Sequence, residues 1–289
     1  MVFIGVVLVV LALYFLLRKK SDKQHLFEEV PPKWKSILEQ KVLFYKNLDD
    51  VGRKRFEWDV QRFLAEIQIT GVQTDVTIED RLLVASSAVI PLFGFPAWNY
   101  QHLDEVILYP ASFDRNFTIG SKEEIITGMV GSGAMEGKMI LSKPALHQGF
   151  ANPRDKRNVG IHEFVHLFDK EDGLIDGIPP GFEEREYALP WVNFIRDKTR
   201  EIVANQSDID GYATTNQQEF FAVASEYFFE RPKLLQRKHP ELYETLAKVF
   251  NQKLADTLDS SIPMKKGSAG RNQPCPCGSG LKYKRCCMQ

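Results

Sequence analysis

The chain opens on sixteen uninterrupted apolar residues, Val2 to Leu17, followed at once by Arg18, Lys19 and Lys20. At about 1.5 Å per residue in a helix, that run spans roughly 24 Å, enough with the initiator Met to cross most of a bilayer core. A signal peptide carries basic residues before its apolar run and small residues at a cleavage site, and "LYFLLRKK" has neither. The expectation is a transmembrane anchor over residues 1–20, single-pass in the inner (cytoplasmic) membrane. The basic flank then holds the bulk of the chain on the cytoplasmic side.

A charged stretch ending in "VPP" reads as a linker over 21–34. Helical spacing follows across 35–70, in "WKSILEQKVLFYKNL" and "RKRFEWDVQRFLAEI". "TIEDRLLVASSAVIPLFG" predicts a further helix, with Thr77 as N-cap and Asp80 at the third helical position. "EVILYP" and "GKMILSKPAL" predict short strands. The glycine-rich "GMVGSGAMEG" before the second lacks the GK[ST] ending and following helix of a phosphate loop, so it reads as a turn. "KMILSKPAL" reads as a strand of the core sheet, the alternative being a free edge that pairs with an extended chain. Beyond residue 150 the pattern is helical around 153–169, 184–203, 217–230 and 240–256. The fold class is therefore α+β, mostly helical with a small sheet, in one unit over 35–258. A linker over 259–270 leads to a separate unit over 271–289.

The stretch "ANPRDKRNVGIHEFVHLFDKEDG" predicts a helix capped by Asn152, with Pro153 first and Gly173 at its end. His162 and His166 lie one turn apart, about 40° from each other at roughly 100° per residue, so both imidazoles can reach one zinc ion. Glu163 cannot easily join that ligand set, but it can hold the attacking water and take its proton. Ile161, Val165 and Phe168 place the helix in the interior, where two histidines and a glutamate are costly without a metal or partners. A catalytic zinc takes a third protein ligand. Asp169 and Asp172 are the local candidates. Asp169 sits roughly 10.5 Å along the axis from His162 on a continuous helix, too far for a short side chain.

The distant candidate lies in "GYATTNQQEFFAVASEYFFE". Asn216 can cap this helix, and Glu219 stands at capping-box spacing from it, so its bland role is to reach back to the cap. Glu226 follows seven residues later, about 20° away on the same face. One of the two can bind zinc while the other orients a histidine from behind. Glu219 is the expected ligand, and Asp169 and Asp172 are then partners or caps.

Lys plus Arg number 37 against 38 Asp plus Glu, so no strong field points the main domain toward nucleic acid. All four cysteines, Cys275, Cys277, Cys286 and Cys287, lie in the last fifteen residues. In a reducing compartment such a cluster reads as metal ligands, and four thiolates close a structural zinc site that supplies the folding energy of a short segment. From Met264 onward there are six basic and no acidic residues, which suits docking to a protein or nucleic acid partner. His25, His102, His147 and His239 have no ligand spacing and read as structural.

"HEFVHLFDKEDGLIDGIP" followed by "YATTNQQEFFAVASEYFFERPKLLQRKHPELY" resembles the Mlc titration factor A (MtfA) family of zinc peptidases, over roughly 40–255. The family's catalytic part is similar to the C-terminal domain of anthrax lethal factor, with its Y-x-x-x-N-x-x-E motif matched by Tyr212, Asn216 and Glu219. The resemblance implies a zincin-like fold in which His162, His166 and Glu219 bind the catalytic zinc. It implies Glu163 as general base and Tyr212 as the phenol at the oxyanion. "RNQPCPCGSGLKYKRCC" resembles the SEC-C zinc motif, which implies a second, structural zinc on the four cysteines. The expected function is a zinc metallopeptidase, acting on a peptide or protein as endopeptidase or aminopeptidase. The alternative is a non-catalytic module that sequesters a regulatory protein, since the family's namesake binds the transcriptional regulator Mlc.

Overall fold

The computed structural model describes residues 29–96, 99–121, 125–182, 185–256 and 282. The expected membrane anchor and the four cysteines lie outside the described residues. Among the described residues, no helix is long and apolar enough to cross a membrane.

Three helices, α1 (Pro32–Lys41), α2 (Leu43–Lys46) and α3 (Asp50–Glu66), lead into strand β1 (Gln68–Gly71). Helix α4 (Ile78–Leu92) starts on the predicted capping box: Thr77 accepts from the Asp80 N–H while Asp80 accepts from the Thr77 N–H. Its residues from Leu82 to Leu92 are all buried. Strands β2 (Leu103–Tyr109), β3 (Gly128–Val130) and β4 (Gly137–Ser142) complete the sheet. Then come α5 (Lys143–Ala151), α6 (Val159–Asp169), α7 (Arg185–Val203), α8 (Gln217–Glu230), α9 (Pro232–Lys238) and α10 (Pro240–Val249).

The strand order is β1-β2-β4-β3. The first three run parallel, and β3 pairs antiparallel with β4. Alternation along β2 and β4 sends Val106, Leu108, Met139 and Leu141 into the main core with the helices. It sends Tyr109 and Ile140 into a smaller cluster with Phe113 on the other face. Two-sided burial explains why both strands read as apolar runs.

Several expectations change. The strand ends at Ser142, and Lys143–Pro144 already opens α5, since proline suits a first helical turn and lacks the N–H a ladder needs. Strand β4 lies between β2 and β3, so it has no free edge, and the edge beside it belongs to β3. The helix expected from Asn152 is broken. Asn152 ends α5, and the helix with the histidines begins at Val159 on Asn158, whose side chain accepts from the Ile161 N–H at 3.1 Å. Lys156 at φ +67° cannot continue a right-handed helix. The helix expected over 240–256 stops at Val249, with Asn251 at φ +49° and a separate turn at Leu254–Asp256. Neither β1 nor α9 was legible as a separate element, and the linker expected over 21–34 overlaps the fold at its end, with Val30 buried and Pro32 opening α1.

Candidate metal centre

Helix α6 carries the centre. Every residue from Gly160 to Asp169 is buried. It packs against α4, α8 and strand β3. Gly160 permits the approach to α4, because a Cβ there would come within 2.1 Å of the Ser87 hydroxyl. At its start, the Glu226 carboxylate accepts the Asn158 N–H and Glu230 accepts the Arg157 N–H at 3.1 Å. Negative charge at a helix N-terminus is favourable, and these bonds set where α6 begins relative to α8.

His162 turns Nδ1 to Glu226 Oε1 at 2.8 Å. That bond holds the ring in the tautomer whose Nε2 is free to bind a metal. His162 Nε2 lies 2.9 Å from Glu219 Oε2 and 3.2 Å from His166 Nε2. The third side of this triangle, His166 Nε2 to Glu219 Oε2, is 3.6 Å. A tetrahedral zinc with bonds of about 2.0–2.1 Å separates its ligand atoms by about 3.3–3.4 Å. The three observed separations bracket that value, so the residues fit the ion.

Charge points the same way. Glu163, Glu219 and Glu226 surround two imidazoles, and among the described residues no lysine or arginine forms an ion pair with any of the three. Burial opposes the Glu219 charge, yet hydrogen bonds from His162 and His166 outweigh it and hold the carboxyl at about 2. Burial also works against a His162 cation, but Glu226 and Glu219 raise that imidazole well above its usual range. Burial pushes the Glu163 carboxyl up, against the pull of His162 and His166. Glu163 sits directly under the edge strand: a Cβ on Gly128 would lie 2.5 Å from its Oε1.

Tyr212 stands on a 3-10 turn, Gly211–Thr214, with its ring centroid 6.1 Å from that of His162. It is 54% exposed, open to a ligand. Burial, then the Glu219 and Glu163 charges, raise its phenol above the usual range, so it keeps its proton at neutral pH. Asn216 caps α8 by accepting the Glu219 N–H at 2.8 Å, while the Glu219 carboxylate turns to the histidines. Asp169 and Asp172 are not in the converging set. Asp169, buried, accepts the Gly177 N–H at 2.8 Å, and Asp172 accepts the Leu174 N–H at 2.9 Å. His239 pairs with Asp208 at 2.8 Å and His147 with Asp80 at 2.6 Å, both structural contacts. His25 and the four cysteines lie outside the described residues.

Three contributors escaped the sequence. Asn158 immediately precedes the apolar run, and that adjacency was the available signal. Asp210, two residues before Tyr212, accepts its N–H at 2.9 Å, and Asp-x-Tyr is turn spacing that a closer reading can use. Gly128 carried no signal, because its contact with Glu163 joins segments far apart in the chain.

The family model described as "Glucose-regulated metallo-peptidase M90" matches residues 16–251, and the SEC-C motif model matches 271–289. An uncharacterized protein of Synechocystis sp. is 30% identical over 242 residues, 79% of this chain and 87% of its own length. Mlc titration factor A of Salmonella arizonae is 28% identical over 211 residues, 66% of this chain and 80% of that one. Mlc titration factor A of Klebsiella pneumoniae is 25% identical over 250 residues, 81% and 90% respectively.

Proposed function

This chain belongs to the glucose-regulated metallo-peptidase M90 family, and we propose on that premise that it hydrolyses peptide bonds at a zinc ion held by His162, His166 and Glu219. The observation that carries the reading is the triangle of Nε2, Nε2 and Oε2 atoms with edges of 2.9, 3.2 and 3.6 Å. When bound, zinc supplies Lewis-acid polarisation of the scissile carbonyl and makes water a stronger acid.

The chain's own groups do the rest. Glu163 takes the proton from the attacking water and returns it to the leaving amine. Its raised carboxyl pKa suits a base that must also release the proton. Tyr212, still protonated, donates to the oxygen that becomes negative. Glu226 holds His162 in one orientation. An extended substrate pairing with β3 runs past Glu163, because Gly128 of that strand lies against the carboxylate.

The names of the relatives support a second reading. Two of them, from Salmonella arizonae and Klebsiella pneumoniae, are called Mlc titration factor A, which suits capture of a transcriptional regulator, without chemistry or as a substrate. The four C-terminal cysteines form a structural zinc site in this reading, supported by the SEC-C match. The apolar run at 2–17 with its basic flank supports a membrane anchor and a cytoplasmic location for the rest.

A peptide-library cleavage assay on the detergent-solubilised chain tests the reading, with Glu163→Gln as control. Cleavage that the control loses, with zinc retained, is the expected result. Equal turnover by wild type and control leaves only the capture reading. In a chain lacking the cysteine tail, Glu219→Ala is expected to lose far more zinc affinity than Asp169→Ala or Asp172→Ala. The reverse order rejects the ligand set.

A further inference from the structure

We propose that Asp208, clamped by Lys156, is a positioning residue that holds Tyr212 at the metal centre; this rests on the peptidase reading above. Tyr212 is 54% exposed, while Ile209 and Ala213 beside it are buried in the main core and the turn packs against α8 and α7. Directional contacts add to that packing and fix how the exposed side of the turn is oriented.

Those contacts start at Asp208. Its carboxylate accepts from the Tyr227 hydroxyl at 2.9 Å and pairs with His239 at 2.8 Å. Two ammonium groups join it, Lys156 at 3.4 Å and Lys238 at 3.3 Å. Lys156 also donates to the Asp208 carbonyl oxygen. The Asp208 and Lys156 side chains are only 8% and 12% exposed, which makes their bonds stronger and their loss costlier than a surface pair. Two residues on, Asp210 accepts the Tyr212 N–H at 2.9 Å, and its other oxygen takes the Arg157 guanidinium.

Two of the cations that meet Asp208 and Asp210 are consecutive, Lys156 and Arg157, directly before the Asn158 cap of the histidine helix. The same short segment meets α8, through Glu230 on the Arg157 N–H and Glu226 on the Asn158 N–H. One junction thus joins the start of α6, the body of α8 and the turn with Tyr212. Lys156 pays for its place in backbone strain at φ +67°, and such a conformation persists only where the surroundings over-determine it. Its ammonium, 4.6 Å above the Tyr227 ring, provides that hold.

Asp208→Asn keeps the shape and removes the charge, and Lys156→Met keeps the stem and removes the ammonium. Each is expected to lower kcat about ten- to a hundred-fold, with zinc content and KM unchanged, because a small misplacement of a transition-state donor costs that much. In a Tyr212→Phe background neither is expected to cost more. Lys156→Gly, which relieves the backbone but lacks the ammonium, is expected to behave like Lys156→Met. A loss of equal size with and without the Tyr212 hydroxyl, or a fully active Lys156→Gly, overturns the proposal.

Fluorine resonances of protein labelled with 3-fluorotyrosine, with Tyr212 assigned by Tyr212→Phe, give a readout free of turnover. The Tyr212 resonance is expected to shift and sharpen in Asp208→Asn and in Lys156→Met. An unchanged resonance in both folded variants overturns the proposal. A Glu163→Gln protein as active as wild type sinks the peptidase reading instead, and the fluorine measurement still decides the positioning.

Discussion

His162 and His239 are both buried histidines that meet a carboxylate at 2.8 Å, Glu226 for one and Asp208 for the other. Around His239 the charges close: a single aspartate faces the imidazole, Lys156, Lys238 and the Tyr227 hydroxyl. Around His162 they do not. Three carboxylates gather at two imidazoles, with no lysine or arginine in an ion pair there among the described residues. A buried histidine with a carboxylate is thus ordinary. What sets the candidate metal centre apart is convergence of free donor atoms plus a shortage of positive charge that a dication can fill.

The largest expected effect lies at the His162 cluster. Glu163→Gln should cut turnover by about two to four decades while zinc stays bound, read by single-turnover kinetics and metal analysis. A small loss would make the buried carboxylate a bystander. Tyr212→Phe should cost about one to three decades in kcat, as the loss of a single oxyanion donor does. Next, Glu226→Gln should weaken zinc binding by about ten- to a hundred-fold, because the partner that orients His162 is lost. Zinc affinity equal to wild type in a competition titration would show that the His162 orientation does not need the charge.

The His239 cluster should answer differently. His239→Asn should leave zinc affinity unchanged and lower unfolding stability by about 1–3 kcal/mol, as expected for a buried group losing its partner. Zinc loss in that variant would erase the contrast.

The smallest effect concerns a third pair, His147 with Asp80. Burial opposes the Asp80 charge, but bonds from His147, Lys143 and Thr77 outweigh it and hold the carboxyl at about 2. Its folded pKa is below the unfolded one, so its stabilising effect is present above about pH 4 and fades as pH falls through the folded value. Asp80→Asn should lower stability at neutral pH and flatten the acid limb between about pH 4 and 2 in denaturant titrations. An unchanged acid limb would show that other carboxylates set it.

Much was legible in the sequence because the signals are local. The Thr77–Asp80 capping box, the i, i+4 histidines and the Glu219–Glu226 face depend on spacing within one helix, and helical geometry is the same wherever the helix sits. Other features depended on what lay across the interface. Asn152 and Asn158 can both cap a helix, and the adjacency of Asn158 to the apolar run is the one local sign between them. The choice fell to Asn158 because Glu226 and Glu230 of α8 take the N–H groups there, and Lys156 bends away to reach Asp208. Strand β4 reads as a strand in isolation, but its place between β2 and β3, and so which strand keeps a free edge, is a property of pairing. The sequence alone determined which donor and acid groups are available and at what spacing, since these follow from residue type and helical period. Tertiary structure alone decided which of them meet, because Glu219 and Glu226 of α8, Tyr212 on its turn and Gly128 of β3 come from distant parts of the chain, and only packing brings them beside His162 and Glu163.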